Sequence, residues 1–207
     1  MYRAVYSDGI YRIHKDELEL KTPAGRDLIC ESRELAERLT LHLTSFGQAH
    51  DDPVSIAAFH YPWLDFGQII SRDKLELSLA ILLNPKDDWA LHNPFRAKET
   101  RERWEAVFGD TSRQIRLGRK WLSRLSVAQL LAVSVVQRTY ASVNVAFLAH
   151  AIPDEALAAF VAGVRDHLPV ENRPTPEKIL AVMDNFCFYY RLDENGGGEM
   201  RLEPAAG

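Results

Sequence analysis

The sequence predicts an α+β protein: a β-rich N-terminal domain over 1–50, an all-α helical domain over 51–184, and a C-terminal β-hairpin with a tail over 185–207. Three patterns carry this expectation. Apolar residues alternate through the first twenty positions, where Tyr2 to Tyr6 and Ile10 to His14 flank Ser7-Asp8-Gly9, a hairpin signal. From Asp51-Asp52-Pro53 onward, apolar residues recur at helical spacing instead. Near the end, Phe186, Phe188 and Tyr190 alternate with Cys187, Tyr189 and Arg191 ahead of the glycine turn at Gly196 to Gly198.

The individual elements follow from the same rules. Leu18 and Leu20 continue the alternation into a third strand, and Pro23-Ala24-Gly25 turns the chain into Leu28-Ile29-Cys30. Ser32 is a candidate N-cap for a helix marked by Leu35, Ala36, Leu39 and Leu43, and Gly47 stops it. Glu34 and Arg38 are spaced as an i,i+4 pair on its wet side. Further helices are expected at 53–60, 72–83, 96–108, 112–122, 126–150 with a break near Tyr140, 153–167 and 176–184. Ser126 starts one of them, and Thr175-Pro176-Glu177 starts the last. In the last segment, Met200-Arg201-Leu202 supplies the return strand of the hairpin, which is expected to dock on the N-terminal strands.

The chain of 207 residues is 46% hydrophobic and 26% charged, ordinary for a globular protein that buries its own core. A net charge of −4 argues against general nucleic-acid binding, which favours a basic surface. The densest run of positive charge, Arg113 to Arg124, has the spacing of a solvated helix face. Cys30 and Cys187 sit among apolar neighbours and read as buried reduced thiols. The apolar stretch from Val127 to Ile152 contains Gln129, Gln137, Arg138 and Asn144, and reads as a buried helix pair, not a membrane span. The expected setting is a bacterial cytoplasm, since the N-terminus reads directly as a strand.

Motifs for chemistry are sparse. No two of the seven histidines have metalloprotease spacing, and no nucleophile elbow or phosphate-cradling loop is present. Neither a metal nor a cofactor is expected. Asp87-Asp88 reads as a loop with a capping aspartate rather than a cation site. The segment Phe59-His60-Tyr61-Pro62-Trp63-Leu64-Asp65-Phe66 is rich in aromatics. It is expected either to cement the β part to the helices or to line a pocket or partner groove. Pro62 favours a loop here, which leaves the geometry of His60 and Asp65 open.

Leu20-Lys21-Thr22-Pro23-Ala24-Gly25, then Leu28, Ser32 and Leu35-Ala36, resembles the signature of the assembly chaperones for the α subunit of F-type ATP synthase. Asp88-Trp89, Trp104 with Phe108-Gly109, and Ser142 ahead of Asp154-Glu155-Ala156 resemble later marks of that family, so the likeness spans roughly 2–165. It implies a small β domain followed by helices, and a protein client shielded until assembly. Counting from Asp154-Glu155-Ala156, the family's late acidic residue falls near Val164, with Asp166 two residues on, and the family's Gln and Trp-Gly end is replaced by Leu168-Pro169 and the aromatic segment.

The expected function is therefore protein binding without catalysis, with Trp63, Phe66, Trp89, Trp104 and Asp166 as candidate partner-binding residues. Lys21, Thr22, Pro23 and Gly25 are expected to be structural. Two alternatives stay open: an interaction module of the same fold with another partner, and a small-ligand binder or enzyme using His60 and Asp65.

Overall fold

A computed structural model describes residues 1–47, 52–91, 109–151, 157–168 and 173–192. Strands β1 (Tyr2–Ser7) and β2 (Ile10–Lys15) form an antiparallel hairpin with Ser7 opposite Ile10. Asp8 and Gly9 both take positive φ, 53° and 84°, as a two-residue turn matched to strand twist requires. Short strands β3 (Leu18–Glu19) and β4 (Ile29–Cys30) each pair with β2. Ile13, Leu20 and Leu28 are buried, but Leu18, two residues before Leu20, is exposed, so the alternation ends at the sheet edge.

Helix α1 (Arg33–Phe46) lies on this sheet through Leu35, Ala36, Leu39 and Leu43. The Ser32 hydroxyl accepts from Leu35 N at 3.2 Å, and Gly47, at φ 65°, closes the C-terminus by donating to Leu43 O. The expected Glu34–Arg38 pair does not form. Arg33 bonds Glu37, and Arg38 turns to helix α8 (Pro176–Arg191). There it bonds Asp184 and Asn185 and places its guanidinium 4.3 Å from the Phe188 ring centre. A planar guanidinium gains more from an exposed carboxylate, a buried amide and a ring together than from one solvated glutamate.

The remaining described helices are α2 (Ala57–Phe66), α3 (Arg72–Leu82), α4 (Thr111–Leu122), α5 (Val127–Tyr140), α6 (Val143–Ala151) and α7 (Leu157–His167), with a 3₁₀ turn at Trp89–Leu91. Ser126 caps α5 through a reciprocal box with Gln129. The break expected near Tyr140 is at Ala141, whose φ of 51° bends α5 away from α6 by 116°. No single helix among the described residues is long and apolar enough to cross a membrane. The helix expected at 96–108 and the segment 193–207 lie outside the described residues.

Two expectations about the elements also need correction. Helix α2 begins at Ala57, not at residue 53, and runs through the segment read as a loop at Pro62. Pro62 deprives only the Ala58 carbonyl of its i+4 donor, and burial of Phe59 and Tyr61 outweighs that loss. The second concerns 185–191, which are helical rather than the first strand of a hairpin. Ile179, Val182, Met183, Phe186, Tyr189 and Tyr190 are all buried and form one helical stripe. A run of five apolar residues satisfies period 2 and period 3.6 alike, and burial of this stripe against the rest of the core decides the period.

Gly25 has φ 82°, as a turn closed by Gly25 N donating to Thr22 O demands. Nothing lies within 4 Å of a Cβ built there, so a side chain meets only backbone strain. Gly25→Val is expected to cost about 1–2 kcal/mol and to lower Tm by several degrees. Thermal unfolding followed by circular dichroism checks this; an unchanged Tm would show that the left-handed backbone at Gly25 imposes no strain on a side chain.

Candidate functional site

A groove of about 890 Å³ opens between the Thr22 turn, α2, α3 and α5. Two helical stripes face each other across it. Helix α2 contributes Ala58, Tyr61, Pro62, Asp65 and Phe66; helix α5 contributes Leu131, Ser134, Val135, Arg138 and Thr139. Both run i, i+3, i+4, i+7, i+8, which lines one face of a helix. Pro23 and Ala24 close one end, with Pro53, Ile70 and Leu75 completing the wall.

The turn is tied to α2 by a buried hydrogen bond from the Thr22 hydroxyl to the Asp65 carboxylate. The same Thr22 oxygen accepts from Arg26 N at 3.2 Å, so one residue shapes the turn and anchors it. Lys21 is exposed and pairs with Asp27 on the outer side of the turn. Thus Thr22 is spent internally, while exposed Pro23 and Ala24 form groove wall.

The aromatic segment divides between the two faces of α2: one packs the sheet against the helices and the other lines the groove. Phe59 and His60 point away from the groove. Phe59 lies 6.5 Å from the rings of Phe186 and Tyr189. His60 Nε2 donates to Ile29 O at 2.7 Å, leaving Nδ1 to accept from the Tyr189 hydroxyl at 3.3 Å. Burial pushes the His60 pKa down to about 4, so the ring is neutral. His60 therefore cements sheet to helices, and Asp65 is held by Thr22 instead of meeting it. Burial also raises Tyr61, to about 12, and the thiols of Cys30 and Cys187, to about 12 and 11, so neither cysteine has thiolate character.

The candidate partner-binding residues scatter. Phe66 lines the groove and is 50% exposed. Trp63 is half-buried and packed on the core; its ring covers Gly67, where a Cβ would come within 2.2 Å of it. Trp89 is a core residue rather than a surface contact: its indole donates to Tyr140 O at 2.6 Å and its ring stacks on His167 at 4.0 Å. Asp166 is exposed on α7, 3.9 Å from Arg173, with no place in the groove. Trp104 lies outside the described residues.

Sequence reading missed the α5 stripe. Its helical signal is hidden because the opposite face of α5 is also apolar, with Leu130, Val133 and Val136 fully buried. Only Ser134, Arg138 and Thr139, polar residues at stripe spacing inside the apolar run, mark that face as open.

Asp88 is a further buried polar centre among the described residues, and it is structural. Its carboxylate accepts from the Ser142 hydroxyl at 2.6 Å, Asn144 N at 2.8 Å and Ala90 N at 3.1 Å. It thereby caps the start of α6 and the 3₁₀ turn together, as the capping reading of Asp87-Asp88 expected. Burial pushes its pKa up against the pull of these donors.

Family models, curated proteins and solved structures were all compared with this chain, and none matches.

Proposed function

We propose that this protein is a chaperone-like binding factor that seats a protein client in the groove between the Thr22 turn, α2, α3 and α5. The observation that carries the reading is the pair of facing stripes: an open, largely apolar trough with half-exposed Phe66 at its edge. Ile69, 70% exposed, and Ile70, in the groove wall, follow in the turn after α2. Exposed apolar surface beside a trough is what a client-shielding protein presents, whereas an ordinary monomer keeps such surface scattered. The turn resembling the assembly chaperones for the ATP synthase α subunit supplies one wall, so that subunit is the first client to test. Shielding of this kind requires neither a nucleophile nor a cofactor.

Sedimentation velocity with purified α subunit tests this. A complex is expected with the wild type, and Ser134→Trp, which fills the groove from α5, is expected to weaken it roughly tenfold or more. Equal binding by the Trp variant would place the client elsewhere. No complex with the wild type would exclude this client.

One observation favours the other reading, an interaction module with a different partner. Val164, where the resembled family has its late acidic residue, is fully buried, and Asp166 is turned toward Arg173. Affinity capture from the host, read by mass spectrometry, separates the two: enrichment of the α subunit selects the first, and another protein lost on Ser134→Trp selects the second.

A further inference from the structure

We infer that the segment received by the groove is an apolar stretch of a partner protein that carries an acidic side chain, read by Arg138. This rests on the groove being the docking site. The two charged residues of the trough differ in how they are committed. Asp65 is 7% exposed and accepts a hydrogen bond from Thr22. Arg138 is exposed at the α5 edge and pairs with no carboxylate among the described residues.

The rest of the lining does not compete for an incoming acid. Ser134 and Thr139 flank Arg138 on the stripe, but their hydroxyls donate back to Leu130 O and Val135 O at 3.0 and 2.8 Å. The remaining wall, including Tyr61, Leu131, Val135 and Ile70, calls for apolar side chains. An uncommitted guanidinium beside an apolar trough selects a carboxylate next to apolar anchors, because the planar fork gains two hydrogen bonds as the trough excludes water. A basic residue at the same place would face Arg138 and be rejected.

The test uses the full-length protein and a phage-displayed library of random dodecapeptides. Wild type is expected to enrich apolar peptides with Asp or Glu at one position. A synthetic, end-blocked peptide from that selection is expected to bind Arg138→Glu roughly three- to tenfold more weakly, and its Asp/Glu→Lys version to recover on that variant. Far-ultraviolet circular dichroism of Arg138→Glu checks that the surface change leaves the fold intact. Peptides that lose binding to Ser134→Trp, show no acidic preference and ignore Arg138→Glu would overturn the charge assignment while keeping the groove. Peptides that bind Ser134→Trp as well as wild type, or no enrichment at all, would overturn the groove reading and this inference with it.

Discussion

Asp88→Ala is expected to lower the free energy of unfolding by about 3–5 kcal/mol, measured by urea denaturation at neutral pH. The substitution leaves the Ser142 hydroxyl and the N–H groups of Asn144 and Ala90 without their acceptor in a site that excludes water. Each orphaned buried donor costs about 1–3 kcal/mol, partly recovered where Ser142 re-bonds locally. The start of α6 also loses a carboxylate at the positive end of its dipole. Asp88→Asn keeps one acceptor oxygen but turns an NH₂ toward donors, and is expected to lose about half as much. A wild-type midpoint for Asp88→Ala would show that the carboxylate holds neither the 3₁₀ turn nor α6.

Acidification is expected to weaken the fold well before carboxylates are protonated generally. His60 has a pKa of about 4 in the fold against an ordinary value of 6.5, so the unfolded chain takes up its proton first. Its stabilising contribution is complete above pH 6.5 and declines as pH falls from there toward 4. By pH 5 the loss is about 2 kcal/mol, and in full it is on the order of 3 kcal/mol. His42, whose Nδ1 accepts from Ile56 N at 3.0 Å, is also lowered by burial and by Arg38, and His167 is lowered by burial against Trp89; both act in the same direction. Asp88 acts oppositely, because its raised pKa means the fold takes up that proton before the unfolded chain does. Urea titrations at pH 7 and pH 5 check the slope. His60→Gln, less stable at pH 7, should lose less between the two pH values than wild type does; an identical slope would remove His60 as the source.

The first hairpin, the caps of α1 and its apolar stripe were legible because their signals are local. A two-residue turn needs Asp8-Gly9, an N-cap needs Ser32 and a left-handed stop needs Gly47, and each acts within a few residues. The caps at Ser126 and Thr175 were readable for the same reason. The sequence by itself determined the fold class, most helix starts and the break near Tyr140. Three matters were decided only by the tertiary structure. The period of 185–191 depended on burial of Ile179 to Tyr190 against the rest of the core, since an all-apolar run has no period of its own. Arg38 chose Asp184 and Asn185, about 147 positions away, over a local glutamate. The groove came from two stripes some seventy residues apart, and a stripe becomes a site only when packing leaves that face uncovered. Helical periodicity specifies that a helix has an apolar face; which other surface meets that face, or whether any does, is settled by long-range packing that no local pattern encodes.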